Sequence, residues 1–107
     1  MEEQIQQLAN KFKENISEVY GKELSKVILF GSYARGDFRE ESDIDFLVVL
    51  NKKDLNPFKE IRRMNPKVYD LILDSGKLIS FLPTTLTRYE AFQTPFYTNV
   101  RKDGIVI

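Results

Sequence analysis

The sequence predicts a single α/β domain. An amphipathic stripe at helical spacing opens the chain, short apolar runs too brief for helices follow it, and helical and extended patterns then alternate to the end. A length of 107 residues supplies one hydrophobic core and not two. With no repeat, low-complexity tract or linker, residues 1–107 read as one unit.

Ile5, Leu8, Ala9, Phe12, Ile16, Val19 and Tyr20 recur at steps of three and four, which predicts a helix over residues 2–20 closed by Gly21. Val27-Ile28-Leu29-Phe30 reads as a strand buried on both faces, and residues 43–50 as its hairpin or near-neighbour partner. Residues 51–56 are polar and turn-like, after which Phe58, Ile61 and Met64 share a helical face. Asn65-Pro66 has the form of a helix cap followed by proline at the first helical position. It predicts either a second short helix over residues 66–75 or a kink in one long helix, with Val68, Leu71 and Ile72 inward and Gly76 at the end. A different reading makes residues 67–73 a strand, with Val68, Asp70 and Ile72 on one face. Residues 78–82 form a further strand ended by Pro83, and Thr87-Arg88-Tyr89-Glu90 has the form of a capping box. Thr94-Pro95 repeats the cap-plus-proline signal ahead of Phe96, Tyr97 and Val100, and Gly104 ends that helix before the apolar Ile105-Val106-Ile107.

Composition narrows the chemistry. Apolar residues make up 42% and charged residues 30%, with 16 Lys+Arg against 16 Asp+Glu, as in an ordinary soluble domain. Zero net charge argues against an extended nucleic-acid surface. The absence of cysteine excludes disulfides, thiolate zinc sites and cysteine nucleophiles. The absence of histidine excludes Ser-His-Asp hydrolysis, imidazole bases and His-ligated metals, so any metal must be held by oxygen, which favours Mg²⁺ or Mn²⁺. No window approaches the roughly 18 apolar residues of a membrane span and the polar start lacks a signal-peptide pattern, so a soluble, cytoplasmic protein is expected.

One stretch carries a site. The apolar run ends in Gly31-Ser32, continues through Tyr33-Ala34-Arg35-Gly36, and leads by a polar linker to Ser42-Asp43-Ile44-Asp45 and the apolar Phe46-Leu47-Val48-Val49-Leu50. A strand that ends on Gly-Ser offers free backbone N–H groups and a hydroxyl to a phosphate, and Gly31 lets the backbone approach without a Cβ. Asp43 and Asp45, two residues apart on a strand, project from one face with backbones roughly 6.5–7 Å apart, spaced to share or bridge divalent ions. Arg35 and Arg39 flank the turn with charge suited to a triphosphate. Either half alone is most simply a turn or a solvated strand start; in this order, each attached to an apolar strand, they give a phosphate seat beside a metal seat.

Gly31-Ser32-Tyr33-Ala34-Arg35-Gly36 followed by Ser42-Asp43-Ile44-Asp45 resembles the signature of the polymerase-β-type nucleotidyltransferase superfamily, in particular its minimal nucleotidyltransferase branch. The leading helix and the closing Pro95-Phe96-Tyr97…Asn99-Val100…Gly104 extend the resemblance over nearly the whole chain. It implies a small mixed β-sheet flanked by helices, the nucleotidyltransferase fold. It also implies transfer of a nucleoside monophosphate, AMP from ATP, to a partner protein, with Mg²⁺ or Mn²⁺ held by Asp43 and Asp45. Gly31, Ser32, Arg35, Gly36 and Ser42 would lie on the phosphates. Members of this branch are often antitoxins of HEPN-domain toxins, so the resemblance implies such a partner. Active members supply a third carboxylate from a later strand: here Asp70 if residues 67–73 are that strand, whereas a strand over residues 78–82 presents Ser80. Without the third acid the alternative is a catalytically weak nucleotide- and metal-binding antitoxin that neutralises its partner by binding. With no room for a second domain, the acceptor surface is expected from a partner or from self-association.

Overall fold

In a computed structural model, which describes all 107 residues, four strands form one mixed sheet in the order β3-β2-β1-β4. Helix α1 (Glu3–Tyr20) and a 3-10 turn (Gly21–Glu23) lead into β1 (Leu24–Phe30), a single-turn helix α2 (Ser32–Arg35) and β2 (Ile44–Leu50). The long helix α3 (Pro57–Ser75), β3 (Ile79–Thr85), α4 (Leu86–Ala91), α5 (Pro95–Asp103) and β4 (Ile105–Val106) complete the chain. β2 runs antiparallel to β1 and parallel to β3, while β4 joins the other edge of β1 antiparallel. This is the mixed, helix-flanked sheet that the sequence implied.

Each face of the sheet has its own cover. Val27, Leu29, Ile44, Phe46, Val48 and Leu50 join Phe12 and Ile16 of α1 and Met64, Val68 and Leu71 of α3 in the larger core. Ile28, Leu47 and Val49, the alternate positions, pack with Val100 of α5 on the second face. The period of two along β1 and β2 thereby sorts every side chain to one layer or the other.

Several boundaries differ from the sequence reading, each for a local reason. The Asn-Pro signal occurs twice, and the operative cap is Asn56-Pro57, where the Asn56 side chain accepts from the Phe58 and Lys59 N–H groups at 3.1 and 3.4 Å. Asn65-Pro66 lies inside the same helix, so residues 66–75 are neither a separate helix nor a strand. Tertiary packing of Met64, Val68 and Leu71 on both sides of Pro66 outweighs its missing N–H. β3 continues through Pro83 to Thr85, as an edge strand allows. The cap of α4 is Thr85, whose hydroxyl accepts from the Arg88 N–H at 3.1 Å, and not Thr87. Thr94-Pro95 caps α5 as expected. No helix is long and apolar enough to cross a membrane.

A buried ionic cluster ties α1 to α3 at the end of β2 remote from its first residues. Glu60, 2% exposed, accepts from the Tyr20 hydroxyl at 2.8 Å, Lys52 Nζ at 3.1 Å and Arg63 Nη1 at 3.3 Å. Burial pushes the Glu60 carboxyl up, but these donors outweigh it and hold it below the usual carboxylate range. Its stabilisation is therefore present above the unfolded-state value and is lost as pH falls through the depressed folded-state value. Glu60→Ala strands a buried hydroxyl and lets two cations turn to solvent, so urea denaturation at pH 7 should show a loss of about 2–4 kcal/mol, shrinking in acid.

Candidate functional site

β1 and β2, the central strands, carry the site at one end of the sheet's second face. In their antiparallel register Phe30 lies opposite Asp45, so the turn that follows Phe30 meets the first residues of β2. Because Ile44 and Phe46 point into the larger core, Asp45 points the other way, and Asp43 is two residues before it. β3 brings Ser80 alongside Asp45, and the Ser80 hydroxyl donates to Asp43 Oδ2 at 3.2 Å.

Gly31 is the contact between the two halves. Its backbone, φ 76° and ψ −156°, lies in a region open essentially only to glycine. A Cβ there would collide with Asp45 Oδ2, so the carboxylate rests directly against the Gly31 backbone. Ala34 and Arg35 donate their N–H groups to the Gly31 carbonyl, whereas the N–H groups of Gly31 and Ser32 take no backbone partner. A phosphate seated on those groups would lie beside Asp45.

The electrostatics match. Partial burial raises the Asp45 carboxyl above the usual range, the Asp43 carboxylate raises it further, and the Arg35 guanidinium opposes both. Two carboxylates crowded at a half-buried edge with one nearby cation form a donor set that fits a divalent ion. No third acid joins them, so remaining ligands would be phosphate oxygens and water, the usual Mg²⁺ arrangement.

Residues 5–96 match the family described as nucleotidyltransferase domain. The chain belongs to the nucleotidyltransferase domain family. Two Methanocaldococcus jannaschii proteins are related to this nucleotidyltransferase domain. "Putative protein adenylyltransferase MJ0141" is 43% identical over 61 residues, 57% of this chain and 60% of its own. "Putative protein adenylyltransferase MJ0604" is 50% identical over 48 residues, 45% of this chain and 44% of its own. The matched segments thus span less than two thirds of these relatives. Two crystal structures share the fold. A "putative nucleotidyltransferase from Sulfolobus solfataricus" has TM-score 0.62 and 21% identity, covering 99% of this chain and 86% of that one. A toxin-antitoxin structure with AMP-PNP has TM-score 0.65 and 19% identity, covering 92% of this chain and 70% of that one.

Within this nucleotidyltransferase domain the structure sets one of the expected site residues, Asp70, apart from the others. Gly31, Ser32, Arg35, Asp43 and Asp45 converge where β1 ends and β2 begins. Gly36 and Ser42 also hold the loop: the Gly36 N–H is bound to the Ser32 carbonyl at 2.9 Å, and Ser42 Oγ accepts from the Arg39 N–H at 2.9 Å. Gly36, at φ 86°, also ends α2 in the left-handed conformation. The exposed Arg39 side chain makes no ion pair, while Arg35 pairs with Asp37 at 3.3 Å. Asp70 is a correction. It sits exposed on α3, which packs on the opposite face of the sheet from Asp45, so it cannot complete the pair. Ser80 stands beside the two aspartates in its stead, and the sequence signal for it was the polar residue within an apolar strand.

Two substitutions should separate strain from function. Because the folded state holds the Asp45 proton more tightly than the unfolded chain does, stability falls as pH rises through the carboxylate range and stays reduced at neutral pH. Asp45→Asn should therefore raise the melting temperature of the metal-free protein by a few degrees while removing Mg²⁺-nucleotide binding. Gly31→Ala should cost about 1–3 kcal/mol and also weaken that binding, since it displaces the carboxylate. Calorimetric melts with and without Mg²⁺-ATP check both.

Proposed function

We propose that the protein transfers AMP from ATP to a partner protein, with Asp43 and Asp45 holding Mg²⁺ or Mn²⁺ and Gly31, Ser32 and Arg35 receiving the phosphates. The observation that carries this reading is the contact of the Asp45 carboxylate with the Gly31 backbone, which joins phosphate seat and metal seat into one site. A divalent ion bound there would neutralise the triphosphate and polarise the phosphoryl group. Around it, Gly31 gives phosphate oxygens a close approach, the free Ser32 hydroxyl donates to them, and Arg35 adds positive charge. In the transfer, an acceptor oxygen bonds to the α-phosphorus, the bond to pyrophosphate breaks, and the acceptor proton leaves to solvent. The adenylyltransferase names of the relatives support AMP as the group transferred. The toxin-antitoxin neighbour, crystallised with AMP-PNP, supports a toxin as the partner, and a HEPN-domain toxin is what the minimal-nucleotidyltransferase resemblance implies. A cytoplasmic location accords with that partnership.

A second reading rests on Ser80. With a hydroxyl where a third carboxylate would act, the site lacks an acid to draw off the acceptor proton, which favours an antitoxin that binds nucleotide and neutralises mainly by covering its partner.

Incubation with α-labelled ATP, Mg²⁺ and a candidate HEPN-domain toxin tests the two. The first reading expects label on the partner, reduced at least about 100-fold by Asp43→Asn with Asp45→Asn. Transfer unchanged by that double substitution contradicts the assignment. Absence of transfer, with neutralisation retained by the same double variant, selects the second reading.

A further inference from the structure

β3 is the edge of the sheet beyond β2, and no strand pairs with its outer side. The Ile44 N–H donates to the Leu78 carbonyl at 3.0 Å, and with Ile44 in register with Ile79 the backbone groups of residues 78, 80 and 82 turn towards β2. Those of Ile79, Phe81 and Pro83 therefore turn outwards. Pro83, which has no N–H to leave unpaired, stands on the side an edge strand allows. Monomeric proteins guard such edges with charge, above all lysine, because a bare edge pairs with another copy of itself. Here residues 78–87 contain no charged residue, and Leu78 and Leu82 are 63% and 45% exposed.

The helix beside the edge continues the same surface. Phe58, Arg62, Asn65, Tyr69 and Ile72 of α3 recur at steps of three and four along one stripe, and Tyr69 is 60% exposed. Between this stripe and β3 runs an open groove of about 560 Å³, whose mainly apolar lining includes Tyr69, Ile72, Ile79 and Phe81. Its α3 residues run from Asn65 to Ile72, so its middle lies level with residues 68 and 69. Arg62 is the one charged member of the stripe and sits towards one end of it. At the other end the last turn of α3 holds Asp74 and no basic residue, which leaves the negative pole of the helix dipole uncompensated there.

We infer that this surface, the outer edge of β3 with the α3 stripe, joins two copies of the chain about a two-fold axis at Phe81. In an antiparallel pairing centred there, the Phe81 N–H and carbonyl of each copy bond to those of the other, and each Ile79 N–H meets the Pro83 carbonyl of the second copy. Pro83 has no N–H to return, so the ladder ends at that pair. The same axis lays the two α3 helices antiparallel along the groove, with Tyr69 near the axis. Residue 62 precedes the groove's middle by as much as residue 75 follows it, so Arg62 of each copy comes beside the acidic last turn of the other α3. Opposite charges thus meet twice, as a self-complementary two-fold contact requires. On the sheet's second face the pairing stands Leu82 of each copy next to Ser80 of the other, at the groove of about 460 Å³ that holds Asp45. The second copy thereby adds a wall beside the paired aspartates. The interface itself does not depend on the nucleotide reading.

Sedimentation velocity over a micromolar dilution series, combined with amide hydrogen exchange, tests the interface without any nucleotide. The wild-type chain should sediment at twice the monomer mass and dissociate on dilution. The Ile79 and Phe81 amides should exchange at least about tenfold more slowly in the dimer than in the dissociated chain. Tyr69→Lys sets like charges at the axis and Leu82→Lys guards the edge; both positions are exposed, so each variant should be monomeric with wild-type circular dichroism. Phe92→Lys, at an exposed aromatic away from this surface, should remain dimeric. A wild-type chain that is monomeric throughout would overturn the proposal and leave the surface to a different partner. Species that keep growing with concentration would overturn it as well, since a two-fold pairing closes. A dimer retained by both folded lysine variants, or one in which the Ile79 and Phe81 amides exchange freely, would put the interface elsewhere and contradict it equally.

Discussion

The register that sets Phe30 opposite Asp45 is the constraint on which the site depends. Side chains alternate along β2, so burying Ile44, Phe46, Val48 and Leu50 under α1 and α3 obliges Asp45 to face the other layer. A slip by one residue would drive Asp45 into the larger core and expel Phe46, whose ring stacks on Phe12 at 4.1 Å. The apolar alternation that specifies the core is therefore the device that aims the carboxylate at Gly31. Core packing and site geometry are one specification, and a substitution that loosens the former should blur the latter.

Near opposite ends of β2, the molecule treats carboxylates in opposite ways. Glu60 is surrounded by donors from Tyr20, Lys52 and Arg63, and its proton is held less tightly than usual. Asp45 is half-buried beside Asp43, with Arg35 as the opposing charge, and its proton is held more tightly. The first arrangement is internally satisfied and joins two helices. The second carries an excess of negative charge that a cationic ligand would offset.

The sequence made the Gly-Ser turn and the paired aspartates legible because both depend on local facts: a glycine after an apolar run, and a spacing of two on a strand. The Thr94-Pro95 cap was legible for the same reason. Asn56-Pro57 and Asn65-Pro66 are alike as dipeptides, and only the packing of Met64, Val68 and Leu71 decides that the first starts a helix and the second lies within it. That decision also moves Asp70 off any strand. Ser80 was visible as the polar residue of an apolar strand, but its place beside Asp45, 35 residues away in sequence, comes from parallel pairing with β2. The pocket formed by Phe96, Asn99 and Asp103 against Gly31 is likewise a product of tertiary packing.

The central claim is that phosphate seat and metal seat are one place. Amide NMR of the protein with AMP-PNP and increasing Mn²⁺ tests it most directly, because the paramagnetic ion broadens signals by proximity. The account predicts that Gly31, Ser32, Ile44, Asp45 and Ser80 are lost first, while Tyr69, Asp70 and Leu73 on the opposite layer persist. Broadening centred on α3, or spread evenly over the surface acids with Gly31 and Ser32 spared, would contradict it.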